Sequence, residues 1–89
     1  MQIWKFPLRP GSGAQQIRMP KGAQLLSVQL QRGEPMLWAL CDEHAPQVNR
    51  QLWAYGTRDA MIKAWPFVAT LQYGSAVLHI FDLGEQLLD

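Results

Sequence analysis

Leu25 to Cys41, LLSVQLQRGEPMLWALC, is the stretch whose reading decides the fold. From Gln24 to Gln31, Leu26, Val28 and Leu30 alternate with Ser27, Gln29 and Gln31, and only Leu25 breaks the pattern. That period of two marks a half-buried strand. Met36 to Cys41 is apolar on both faces, and Arg32-Gly33 between the two runs reads as a tight turn. Two registers follow. A three-residue loop with Gly33 in the left-handed conformation pairs Leu30 with Glu34, Val28 with Met36 and Leu26 with Trp38. It gathers Leu26, Val28, Leu30, Met36, Trp38 and Leu40 on one face and leaves the smaller Ala39 and Cys41 on the other. A two-residue loop at Arg32-Gly33 slips the pairing by one residue, which moves Met36, Trp38 and Leu40 to the Ser27 face. The gathering of bulk favours the first register and leaves the second open. In both, the Met36 strand keeps apolar surface on its second face, which a second layer or a partner must cover.

Outward from this hairpin, the chain continues as short strands. Gln2 to Pro7 alternates Trp4 and Phe6 with Ile3 and Lys5, and Pro7 and Pro10 place it at a sheet edge because proline cannot donate to a ladder. Arg9 to Ala14 is a glycine- and proline-rich loop, Gln15 to Met19 a weak strand, and Asp42 to Asn49 a polar loop. Arg50 to Tyr55 sets Leu52 and Ala54 against Trp53 and Tyr55. Thr57 to Trp65 reads as a loop with room for one helical turn capped by Thr57, stopped at Pro66. Phe67 to Asp82 is a second hairpin about Gly74-Ser75, with Tyr73 opposite Ala76, Leu71 opposite Leu78 and Ala69 opposite Ile80. In that reading Phe67 joins the Ala69 face, and Leu83 to Asp89 is a fraying tail on which Leu87 and Leu88 have the chance to dock. The sum is one all-β domain over residues 1–89, an antiparallel sandwich or small barrel of about six or seven strands.

Composition narrows the function. Hydrophobic residues make up 48% and charged residues 17%, which suits a packed domain rather than a disordered one. A formal charge of +1 supplies no bulk field to draw in nucleic acid or an anionic membrane. One cysteine makes no internal disulfide, the N-terminal run has no apolar signal segment, and no stretch approaches a bilayer span of about 20 apolar residues. The expected setting is cytoplasmic, without membrane contact.

The segments IWKFPL (Ile3 to Leu8), MPKGAQLLSVQLQRG (Met19 to Gly33), LWAL (Leu37 to Leu40) and YGT (Tyr55 to Thr57) resemble a family of small uncharacterised proteins encoded in bacteriophage genomes and prophage regions. The likeness runs from Ile3 to Phe81, is loosest from Arg58 to Trp65, and departs at Cys41, where an apolar residue is usual. It implies a phage or prophage origin in a bacterial host cytoplasm. It carries no activity, so no catalytic residue transfers.

Chemistry-bearing residues are few. Cys41, Asp42, Glu43 and His44 cluster, with His79 and Asp82 elsewhere, but one Cys-x-x-His pair falls short of the two ligand pairs of a structural zinc site. A Cys41–His79 or Cys41–His44 dyad suffers from Asp42 and Glu43, which raise a thiol pKa rather than lower it. His79 reads as a sheet residue facing Thr70. No GxSxG, HExxH or P-loop pattern occurs. No cofactor, metal or catalytic residue is expected. The aromatic and methionine surplus stands out instead, since such residues are enriched at recognition surfaces. The candidate binding residues are Trp38, Arg50, Trp53, Tyr55, Arg58 and Trp65. The expected function is a non-catalytic binding or interaction module, a homodimer, interfering with a host system by binding a protein or a small molecule. The runner-up is a single-stranded nucleic-acid binder that stacks bases on Trp53 and Tyr55 beside Arg50 and Arg58. An enzyme using Cys41 and His79 is third.

Overall fold

The central hairpin closes through the two-residue loop, in a computed structural model that describes residues 1–86. Its strands are β3 (Gln24–Gln31) and β4 (Glu34–Cys41), with Gln31 opposite Glu34, Val28 opposite Leu37 and Ser27 opposite Trp38. Arg32 at φ 53° and Gly33 at φ 80° are both left-handed, the type I′ geometry whose twist matches that of paired strands. The three-residue register is therefore corrected. Val28, Leu37, Ala39 and Cys41 are buried on the inner face, while Met36, Trp38 and Leu40 point outward with Ser27 and Gln29. A bulge at Leu26 lets Leu25 pack on the core and leaves Leu26 43% exposed.

The first strand explains why small residues suffice on the inner face of β4. β1 (Gln2–Pro7) is the edge strand beside β4, with Trp4 opposite Ala39 and Phe6 opposite Leu37. Trp4 and Phe6 pack against the core, their rings 6.3 Å apart, so an edge tryptophan supplies the volume that Ala39 lacks. On the outer side, Lys5 lies opposite Trp38 and its Nζ donates to Gln31 Oε1 at 2.7 Å. Its stem therefore crosses β4 and covers part of the Trp38 and Met36 surface.

The other four strands are β2 (Gly13–Pro20), β5 (Gln47–Gly56), β6 (Phe67–Tyr73) and β7 (Ala76–Gln86). They form an antiparallel sheet in the order β2-β5-β7-β6, facing the three-stranded sheet β1-β4-β3. β3 runs beside β6 at one edge, and the two sheets do not close into a barrel. The fold is an all-β, sandwich-like pair of sheets, with no helix among the described residues and hence none long and apolar enough to cross a membrane. The core between the sheets holds Ile17, Met19, Leu37, Leu52, Leu71, Leu78 and Ile80.

The second hairpin has the expected register about Gly74-Ser75, with Gly74 at φ 61°. A bulge at Val68 then sets Phe67 opposite Phe81, so Phe67 turns outward and away from Ala69, against expectation, and Val68 packs inward. β5 begins at Gln47 rather than Arg50 and buries Val48. Leu83 to Gln86, expected as part of a fraying tail, continue β7 across a bulge at Leu83, with Gly84 at φ 97°. Leu87 and Leu88 lie outside the described residues. Thr57 to Trp65 forms no helical turn. Asp59 N–H donates to the Gly56 carbonyl at 3.1 Å and its Oδ2 accepts from Gly56 N–H at 2.7 Å, holding Arg58 at φ 77°, a value outside any right-handed helix.

Candidate interaction surface

Alternation along β5 sends Leu52 and Ala54 into the core and Trp53 and Tyr55 to the outer face of the four-stranded sheet. Register then sets Trp53 beside Phe81 and Tyr55 beside His79. The rings make a continuous aromatic layer. Trp53 and Tyr55 stack at 5.6 Å and 18°, Phe81 meets Tyr55 edge-on at 5.7 Å, and Phe67 meets Phe81 edge-on at 5.5 Å. Both bulges serve this layer, since the one at Val68 delivers Phe67 and the one at Leu83 frees a leucine to join the rim.

The segment from Thr57 to Pro66 folds back over these rings. Between roof and sheet lies a cleft of about 150 Å³, lined by Trp53, Tyr55, Ala60, Ile62, Trp65 and Leu83, with no charged residue in its wall. His79 ties the root of the roof to the sheet, for its Nε2 bonds Thr57 Oγ1 at 2.8 Å and its Nδ1 bonds Thr70 Oγ1 at 3.0 Å. Lys63 Nζ sits 4.6 Å from the Trp65 ring centroid, a cation–π contact on the roof. Two features of the roof stand out. Ile62 is 97% exposed, and the Trp65 indole N–H is buried without an acceptor. Phe67 beside it is 59% exposed.

Three of the expected binding residues, Trp53, Tyr55 and Trp65, thus meet at one cleft. Arg58 occupies the exposed turn at the root of the roof. Trp38 does not join them, because it lies on the outer face of the opposite sheet under the Lys5 stem. Arg50 does not join them either. It shares the inward parity of Val48 and Leu52 and closes one end of the sandwich. Its Nε and Nη2 donate to the two carboxylate oxygens of Asp82 at 2.9 and 2.6 Å, and its Nη1 donates to the Ala23 carbonyl at 2.9 Å. Glu85 stands 3.8 Å from Nη1 and accepts from Gly22 N–H at 2.6 Å. Burial pushes the Asp82 carboxyl upward. The hydrogen bonds from Arg50 and Gly84 N–H and the adjacent guanidinium charge outweigh that, leaving it below its ordinary value. Arg50 is thus structural.

Ile62, Ala60, Leu83, Phe67 and Phe81 belong to the surface although sequence reasoning did not select them. Phe81 carried a signal in its shared parity with His79, while Phe67 and Leu83 depend on bulges that no residue pattern announces. Cys41 and His79 stand on different sheets. Cys41 is fully buried with its thiol toward the Ala39 carbonyl at 3.6 Å, burial pushes its pKa up, and both ring nitrogens of His79 are taken by threonines. A larger basin of about 480 Å³ lies between Ser12, Thr57, Asp59 and Val77. Its Asp59 carboxylate and Thr57 hydroxyl are already bonded within the chain, to Gly56 N–H and His79.

Fold and surface together define a small two-sheet β protein with an aromatic outer layer and an apolar cleft beneath a loop. The chain belongs to the DUF7352 family, a domain of unknown function, which matches residues 1–87. Neither a curated protein nor a solved structure matches the chain.

Proposed function

We propose that the protein is a non-catalytic binding module that takes an apolar side chain of a protein partner into the cleft under the Thr57 to Pro66 roof. The observation that carries this reading is the union, at one place, of an uncharged cleft of about 150 Å³ and an isoleucine that is 97% exposed. Aromatic-walled pockets beside an apolar rim are where binding energy concentrates. The resemblance of the IWKFPL, MPKGAQLLSVQLQRG and LWAL segments supports a phage or prophage origin and a bacterial cytoplasmic setting. In that setting the module interferes with a host system by occupying a host protein. Single-stranded nucleic acid is the weaker reading, because Arg50 is engaged by Asp82 and the Trp53 and Tyr55 rings stack on each other.

A photo-crosslinking residue placed at Ile62 tests the proposal in the bacterial cytoplasm. A discrete protein adduct that disappears in Trp65→Ala, with no adduct from the same probe at Gln72 on β6, supports it. No adduct at Ile62, or equal adducts at both positions, overturns it. Retention of labelled single-stranded DNA at low salt, lost with Trp53→Ala, would transfer the surface to nucleic acid.

A further inference from the structure

The exposed isoleucine forms part of the rim of the cleft it lines, and that arrangement allows a symmetry. Where a protrusion and a cavity lie side by side, a two-fold axis between two copies lets each copy's protrusion enter the other's cavity. We infer that the cleft of one copy is filled by Ile62 of a second copy, and reciprocally, giving an isologous dimer about the Thr57 to Pro66 roofs. This rests on the cleft being the binding surface, for which the second copy competes with the host protein.

Size, charge and area each agree. The cleft, about 150 Å³, has about the volume of an apolar cavity that takes up benzene, enough for the branched aliphatic side chain of isoleucine. Its wall is uncharged, and a formal charge of +1 per chain gives two copies no field that holds them apart. Arg58 and Lys63 share the roof with Asp59, so both signs of charge lie at the rim of a self-contact. The exposed fractions of Met61 (36%), Ile62 (97%) and Phe67 (59%) amount to about two whole side chains. Taken at the lower end of the roughly 150–250 Å² that an aromatic side chain buries, that is about 300 Å² per copy before the cleft walls are added. A standard interface takes about 800 Å² per partner, so the contact falls in the weak, reversible class. The rival apolar face, around Ile3, Trp38 and Leu40, is less suited because the Lys5 stem crosses it and the polar β3 residues Ser27 and Gln29 border it.

Sedimentation equilibrium of the whole chain from about 10 µM to 1 mM tests the dimer. Wild type shifts from monomer toward dimer across that range. Ile62→Asp raises the dissociation constant at least tenfold, and Ala60→Phe, which fills the cleft from within its own chain, does the same. Ile3→Asp, on the rival face, leaves it unchanged. Circular dichroism and a urea midpoint equal to wild type show that Ile62→Asp is folded, as the 97% exposure of Ile62 requires. A monomer at 1 mM, a dimer indifferent to Ile62→Asp, or a dimer abolished by Ile3→Asp overturns the inference. If the wild type is monomeric while the Ile62 probe still captures a host protein, the second copy is the wrong occupant and the binding surface stands. If both experiments are blank, both readings fall.

Discussion

Removing Asp82 strips the sandwich end of the carboxylate that neutralises Arg50. The side chains of Arg50 and Asp82 are only 13% and 16% exposed, so Asp82→Ala leaves an inward guanidinium with Glu85, 3.8 Å away, as its remaining acid. Breaking a buried pair from one side costs about 3–5 kcal/mol. Residual solvent contact and Glu85 reduce this, and we predict a loss of about 2–3 kcal/mol. A chain of 89 residues has a total stability of roughly 4–13 kcal/mol, so the loss is a large share. It corresponds to a fall in Tm of about 8–24 °C at 4–8 °C per kcal/mol. Urea unfolding of wild type, Asp82→Ala, Arg50→Met and the double variant Arg50→Met/Asp82→Ala forms a cycle. Each single change destabilises, and the double variant recovers much of the loss because apolar replacement of both partners leaves no stranded charge. The pH dependence has a definite sign. The Asp82 carboxyl lies below its ordinary value in the folded chain, so its contribution is complete above the unfolded pKa of about 3.9. It is lost as pH falls through the lower, folded value. Wild type therefore loses more stability than Asp82→Asn between about pH 5 and pH 3. A loss below about 0.5 kcal/mol in Asp82→Ala, the size of an ordinary surface change, or no coupling in the cycle would refute the structural role given to Arg50.

Three further predictions follow from the packing. Leu37 is fully buried and Met36 points outward, so Leu37→Ala costs about 2–5 kcal/mol in a denaturant melt and Met36→Ala less than about 1.5. The reverse order would restore the three-residue register. Arg32 holds φ 53° with a full side chain, and Arg32→Asn stabilises by about 0.5–1 kcal/mol, since Asn-Gly is the preferred type I′ pair. Destabilisation by that change would contradict the turn. The Cys41 thiol, buried and with its pKa raised, fails to react with a disulfide exchange reagent at neutral pH until denaturant is added. Rapid reaction in native buffer would show that the β4 inner face opens.

Most of the fold was legible because alternation and turn chemistry agreed. Gly74-Ser75 fixed the second hairpin, and Pro7 and Pro10 placed β1 at an edge. The central hairpin was misread for a physical reason. Arginine rarely takes a left-handed conformation, so the lone Gly33 pointed to a three-residue loop. Gathering the six bulkiest residues on one face also looked favourable while the volume brought by Trp4 opposite Ala39 was out of view. The surface was half legible. The parity of Trp53 and Tyr55 is local and came through, and Trp65 was chosen as an aromatic surplus. Phe67 and Leu83 reach the surface only through bulges, each of which reverses the parity that a strand pattern assumes. Arg50 was taken for a flanking cation of the aromatic strand. Its inward parity with Leu52 was visible, but the acid that receives it, Asp82, stood at the end of what read as the last strand.

The four tryptophans give the most direct test of the interaction surface, since each indole N–H reports separately in a proton–nitrogen NMR spectrum. On dilution from about 1 mM to 10 µM, the Trp53 and Trp65 indoles and the Ile62 methyls move together, while Trp4 and Trp38 stay fixed. Movement of Trp38 with the Ile3 methyls, and stillness at Trp53 and Trp65, would place the contact on the opposite sheet and contradict the account.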